Sequence, residues 1–165
     1  MRKWGIVAVV MLAACSNEAP PPAEAEAAKT LMAGEYSMTS TVTAFRSTDG
    51  SAPASKARVG DAFETKACVA ADGTLDPAIF AAAGETCKAT NSYIRGGRMS
   101  LQLSCTQPGA VGQIMPGVDG TFTADQFKGT ATTTTYLTSS GNYALTRTIN
   151  AKRTGECPPA APDKA

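Results

Sequence analysis

The sequence predicts a mainly β domain: an antiparallel meander of about seven strands, curved or partly closed into a barrel, with one short helix near residues 76–83 and two disulfides. Three observations point there. Apolar and polar residues alternate with a period of two along several stretches, the pattern of strands with one buried face. Turn-forming Gly, Asp and Asn residues separate those stretches at short intervals. Four of the five cysteines, Cys68, Cys87, Cys105 and Cys157, are spread through the same region, and an even set in an exported chain reads as two disulfides.

The first element is not part of that domain. Residues 1–14, MRKWGIVAVVMLAA, have the anatomy of a signal peptide: Arg2 and Lys3, an apolar core from Trp4 to Leu12, then small residues. The core is shorter than the roughly 20 apolar residues needed to span a bilayer. Leu12-Ala13-Ala14-Cys15 resembles the bacterial lipobox, in which the signal is cut before the cysteine and the cysteine is acylated. Cys15 is therefore the expected lipidation site and the membrane an expected partner through that anchor. Each buried methylene contributes about 0.8 kcal/mol, and two or more chains hold a protein where one does so only marginally. Ser16 stands where Asp marks inner-membrane retention in enteric bacteria, which favours the periplasmic face of the outer membrane. Residues 15–32 carry three consecutive prolines and few large apolar groups, and are expected to be a disordered tether. At about 3.1 Å per extended residue, such a tether spans some tens of Å. Residues 33–157 are expected to form one β domain, and residues 158–165 a second disordered tail.

Within the domain, GEYSMTSTVTAF (34–45) sets Tyr36, Met38, Val42 and Ala44 on one face and Glu35, Ser37, Thr39, Thr41 and Thr43 on the other. DAFETKACV (61–69) opposes Phe63, Thr65, Ala67 and Val69 to Glu64 and Lys66, which puts Cys68 on the polar side unless a bulge turns it. DPAIFAAAG (76–84) reads as a short helix, with Asp76 as N-cap, Pro77 in the first turn and Gly84 past the end. CKATNSYI and MSLQLSC flank the turn signal RGGR. Met99, Leu101, Leu103 and Cys105 share one face, as do Cys87, Ala89 and Tyr93. Four cysteines allow three pairings. Folding this hairpin about Gly96 favours Cys87–Cys105, which leaves Cys68–Cys157.

TQPGAVGQIMPGVDG (106–120) reads as a long loop, and DGTFTADQFKGTATTTTYL (119–137) as a hairpin turning at Ala124–Gln126. The run Thr130–Thr135, broken by Ala131, reads as a solvated strand. GNYALTRTINAKR (141–153) closes the domain, with Tyr143, Leu145, Ile149 and Ala151 on one face. Arg147 falls within that apolar face. It either lies near an edge and snorkels to water, or it faces a cavity and pairs with a carboxylate or an acidic ligand.

The sequence excludes much chemistry. It has no histidine, so Ser-His and Cys-His nucleophile systems and most catalytic zinc sites are absent. No C-x-x-C motif exists to hold a metal or run redox exchange, and no pair of carboxylates stands out for acid–base work. No metal, no cofactor and no enzymatic activity are expected. Without the signal, 15 basic and 14 acidic residues become 13 and 14, with no basic stripe, so nucleic acid is not an expected partner.

Taken together, the lipobox at Cys15, Gly34-Glu35-Tyr36, Lys66-Ala67-Cys68-Val69, a cysteine after a short helix, a cysteine ending a hairpin, and Arg153-Thr154-Gly155-Glu156-Cys157 resemble the domain of unknown function 3617 family of proteobacterial exported proteins and lipoproteins. The closing Gly-x-Cys matches the family pattern, while Tyr36 stands where Trp is usual. The resemblance covers roughly residues 33–157. It implies an envelope location in a Gram-negative cell and supplies no activity and no catalytic residues.

The expected role is a non-enzymatic envelope module, tethered to the membrane and contacting another envelope protein or glycan. Two alternatives carry their own signs. A lipocalin-like carrier of a small apolar ligand would present a cavity lined by Tyr36, Met38, Met99, Leu101, Leu103 and Tyr143, with Arg147 on the same side. An inhibitor of a lytic enzyme would project the loop at 106–120.

Overall fold

The computed structural model describes residues 29–82 and 84–159. The signal peptide, Cys15 and most of both expected disordered segments lie outside them. Seven strands form: β1 (Gly34–Ser47), β2 (Ala62–Val69), β3 (Thr86–Arg95), β4 (Arg98–Thr106), β5 (Gly112–Phe122), β6 (Gln126–Leu137) and β7 (Tyr143–Gly155). They make one antiparallel sheet in the order β2-β1-β7-β6-β5-β4-β3, curled into a half-barrel. This is the cyclic order of a seven-stranded up-and-down barrel with the seam between β2 and β3 left unpaired.

A 3-10 turn, Pro77–Phe80, links the two unpaired edges. Asp76 caps it, its carboxylate accepting from the Ala78 amide at 2.9 Å, and Pro77 occupies the first turn as the sequence predicts. The expected helix over 76–83 stops after four residues, with Ala81 already extended. Tertiary contacts account for the early stop. Ile79 and Phe80 both point into the core, and the carbonyl of Phe80 is taken by the guanidinium of Arg147 instead of a later amide. The Thr65 hydroxyl of β2 donates to the Ile79 carbonyl at 3.2 Å, so the turn is fastened to one edge and runs on into the other.

The β3–β4 turn is the two-residue form that a twisted hairpin favours. Gly96 and Gly97 have φ of 58° and 72°, which side chains disfavour, and Arg95 pairs with Arg98. Cys87 stands opposite Cys105 across this hairpin and is bonded to it. The second disulfide is Cys68–Cys157. Glu35 at the start of β1 is paired with Cys68 on one side and Gly155 on the other, so the chain leaving β7 passes the start of β1 and is clamped to the end of β2. No register shift separates Ala67 from Cys68. Cys68 does sit on the polar side of β2, and the bond lies across the outer rim of the sheet.

Three register shifts explain where simple alternation misleads. In each, one strand carries an extra threonine: Thr43 in β1, Thr90 in β3 and Thr154 in β7. In each, that hydroxyl donates to a carbonyl of the facing strand, at 3.2 Å to Thr146, 3.0 Å to Gln102 and 3.2 Å to Glu35. The threonine thus supplies a polar contact where the ladder is locally disrupted. Past Thr43 the faces exchange, so Phe45 packs inward and Ala44, expected with Val42, is exposed. Past Thr90, Ile94 turns inward and Tyr93, expected with Cys87, is 54% exposed.

The expected loop at 106–120 is mostly β5, from Gly112 onward. Ile114, Pro116 and Val118 face inward there. Between β4 and β5 the pairing omits Leu103, Ser104, Met115 and Pro116, since Pro116 has no N–H to donate. On the other side Pro116 stands in register with Thr133, and the ladder with β6 is continuous. The threonine run is likewise divided rather than solvated throughout: Thr133 and Thr135 are buried on the inner face, and Thr130 and Thr132 are exposed. Thr135 accepts from the Tyr143 amide at 2.8 Å, which lets a hydroxyl sit in the interior satisfied.

Candidate functional site

Buried apolar residues on the concave face fall into two clusters. The larger gathers Tyr36, Met38, Ile79, Phe80, Met99, Leu101, Leu103, Phe127 and Ile149, among others. The smaller holds Val42, Tyr143 and Leu145, with Phe45 and Ala57 against it. Along β7 the inward positions are Tyr143 and Leu145 of the small cluster, then Arg147, then Ile149 and Ala151 of the large one. On β1 the polar Ser40 holds the matching place between Met38 and Val42, paired in register with Ile149. A polar pair of positions therefore divides the interior.

On the small-cluster side of that divide lies a cavity of about 710 Å³. Phe63 and Thr65 of β2, Val42 of β1, and Tyr143, Leu145 and Arg147 of β7 form its sheet wall. Ala78, Ala81, Ala82 and Glu85 come from the seam turn and the segment after it, and Ala54–Ala57 from the β1–β2 connection. Exposed lining residues, including Ala54, Lys56, Asp61, Glu64 and Gln107, place its mouth at solvent. The volume falls within the range of small-molecule sites, and the walls are mainly apolar with a few polar groups, as such sites are built.

Among the described residues Arg147 is the largest fully buried side chain, only 1% exposed. Its Nη2 donates to the Phe80 carbonyl at 2.7 Å, and its Cζ lies 5.4 Å from the centre of the Phe63 ring, a cation–π distance. Nε and Nη1 have no hydrogen-bond partner among the described residues. Nor does a carboxylate there form an ion pair with it; the two ion pairs are Lys66–Glu35 and Arg153–Glu156. Burial lowers the pKa of Arg147, and the charges of Glu85 and Tyr143 oppose that shift. Burial raises the pKa of the Tyr143 hydroxyl, with Glu85 adding to it and Arg147 opposing. The bland expectation that Arg147 snorkels to water from an edge is thus overturned: β7 is an interior strand and the guanidinium is enclosed.

Of the seven residues expected on a ligand face, the structure brings Tyr143 and Arg147 to this cavity. Tyr36, Met38, Met99, Leu101 and Leu103 lie in the filled core instead. Space beside Tyr36 and Met38 is about 10 Å³, room for at most one water, because Ile79 and Phe80 fill that end of the curl. Tyr36 has a holding role: its hydroxyl lies 2.9 Å from the Met32 carbonyl and 3.0 Å from that of Ala124. Sequence reasoning missed Phe63 and Glu85 as site residues. Phe63 could have been found, since it is the large aromatic on the inner face of β2; Glu85 carries no such signal. Glu85 also lies near the sulfurs of Cys87 and Cys105, but these are joined in a disulfide and offer no thiolate to a metal.

The fold and the site define a class: a plugged antiparallel half-barrel with an apolar cavity and one enclosed cation. A family model described as protein of unknown function (DUF3617) matches residues 31–157, and the chain belongs to that family. No curated protein and no solved structure matches it.

The motifs that mark this chain at its ends form a clasp rather than a site. Arg153 Nε donates to the Ala33 carbonyl at 2.7 Å and pairs with Glu156, Thr154 holds the Glu35 carbonyl, and Cys157 bonds Cys68. Gly34 has φ of 140°, and a Cβ there would run into the Gly155 carbonyl oxygen.

Proposed function

We propose that this protein is a non-enzymatic lipoprotein of the bacterial envelope, anchored through Cys15 to the periplasmic face of the outer membrane. On this reading its β domain holds a small, largely apolar molecule. The cavity of about 710 Å³ beside Arg147 carries the binding part. The lipobox and the proline-rich tether support the anchored part. Among the roles the sequence suggests, the carrier is the one that this cavity favours. The inhibitor reading keeps a shorter segment to work with, the connection 107–111, because most of 106–120 is strand β5. Contact with a further envelope component is compatible with a carrier that delivers or receives its ligand.

Native mass spectrometry of the full chain taken from its own envelope tests this. A small molecule that travels with the folded protein and is lost on denaturation is the expected result. Repeated recovery of the bare chain, under conditions that retain ligands in known carriers, would count against it.

A further inference from the structure

We infer that the molecule held in this cavity is an amphipathic monoanion, with its acid group on the guanidinium of Arg147 and its apolar body against Phe63, Tyr143 and Leu145. The inference rests on the binding role proposed above and names the ligand class. Arginine is charged at any physiological pH, and an enclosed charge is expensive unless it is paired and hydrogen-bonded. Arg147 has five N–H donors and gives one to the Phe80 carbonyl. Whichever Nη2 proton makes that bond, one edge of the planar fork still presents two parallel donors, the geometry that a carboxylate accepts. The guanidinium is held in place by Phe80 on one side and the Phe63 ring beside it, and because Nε and Nη1 are covered by the cavity wall, an acid group reaches them by displacing neighbouring side chains.

The acidic residues of the cavity do not already fill this role. Asp61 and Glu64 are exposed, where solvent and salt screen them. Glu85 is half-buried, but its carboxylate accepts from the Ala82 amide at 2.9 Å and forms no ion pair with Arg147. The remaining walls, Val42, Ala57, Ala78 and Ala81 among them, present methyl groups to a chain or ring.

Octanoate and n-octanol share an apolar body and differ in the acid group, so they separate this inference from the binding role. Full chain in nanodiscs of zwitterionic lipid is unfolded thermally with each probe, with matched additions to a control protein correcting for effects of the probes on the lipid. Octanoate is expected to raise the melting temperature at concentrations about tenfold below those octanol needs, the factor a charge-assisted hydrogen bond supplies. Arg147→Met is expected to abolish that preference while octanol still binds. If both probes stabilise the chain equally, with or without Arg147, the cavity binds and the inference about the anion is wrong. If neither stabilises it, the binding role fails as well. Should Arg147→Met not fold, the comparison of the two probes on the unaltered chain decides.

Discussion

Arg147, on the inner face of β7, donates to the backbone oxygen of Phe80 at 2.7 Å, and so joins the sheet to the turn that plugs its open seam. The same side chain separates the filled end of the curl from the cavity and leaves two nitrogens facing no acceptor among the described residues. A group placed this way is poor for stability and well placed for binding.

Replacing Arg147 by Met therefore has a particular signature. The change leaves the Phe80 carbonyl without its donor, a loss of about 1–3 kcal/mol, but removes an enclosed cation whose desolvation costs at least as much. Without ligand, Arg147→Met is expected to melt no lower than the parent in urea or heat, whereas truncation of an ordinary core side chain such as Ile149→Ala should cost about 2–5 kcal/mol. In the same cavity, Glu85→Gln should tighten octanoate and leave octanol unchanged, because it removes a negative charge that acts on Arg147. Isothermal titration measures both.

Much of this architecture was legible in the sequence, and the failures share a cause. Period-two alternation and the turn residues located every strand except most of β5, and the hairpin about RGGR gave the Cys87–Cys105 pair. It lost the faces of Ala44 and Tyr93, each just past a threonine bulge, because an extra residue shifts every later side chain to the other side. Pro116 and its glycine neighbours disguised β5 as a loop, since local preference disfavours a strand there while the pairing with β6 enforces one. For the site, Arg147 was visible as a charge on an apolar face. What it meets was not, because Phe63, Phe80 and Glu85 come to it from segments 60 to 85 residues away in the chain and only closure of the curl brings them there.

The three bulge threonines make a second prediction. Each hydroxyl contacts a facing-strand carbonyl, so Thr43→Val, Thr90→Val and Thr154→Val should each lower stability by about 0.5–1 kcal/mol, with the fold retained. Control changes at Thr39 and Thr132, on regular stretches of strand, should fall within about 0.5 kcal/mol of the parent. Urea denaturation of the set distinguishes them.

Gly34 is expected to tolerate no side chain. Its positive φ and the approach of the Gly155 carbonyl mean that Gly34→Ala must displace backbone where β1, β7 and the Cys68–Cys157 bond meet. A loss of about 2 kcal/mol or more is expected. Gly50→Ala pays a similar backbone strain at φ of 76° but meets no atom within 4 Å, and should cost less. Thermal melts of the two proteins give the comparison.

Acid sensitivity should trace in part to Asp49. Its carboxylate accepts from the amides of Ser51 and Asn142 and from the Asn142 side chain, tying the β1–β2 connection to the turn before β7. The Asn142 amide, first among these bonds, holds its pKa down to about 2. A depressed carboxylate contributes stability that is complete above its ordinary value of 3.8 and is lost as pH falls toward 2. Asp49→Ala should lower stability at neutral pH and flatten the decline between those limits. Urea midpoints measured from pH 6 down to pH 2 show whether the two curves converge.

The claim at the centre of this account is that the enclosure beside Arg147 is where a ligand sits. Isotope-filtered NMR on the full chain in deuterated lipid, with carbon-13-labelled octanoate added, tests it most directly. Transfer of magnetisation from the labelled chain to the ring protons of Phe63 and Tyr143 and to the methyls of Leu145 is the expected result. Contacts confined to the convex residues Tyr93, Met115 and Tyr136, or no protein contacts at saturating probe, would contradict it.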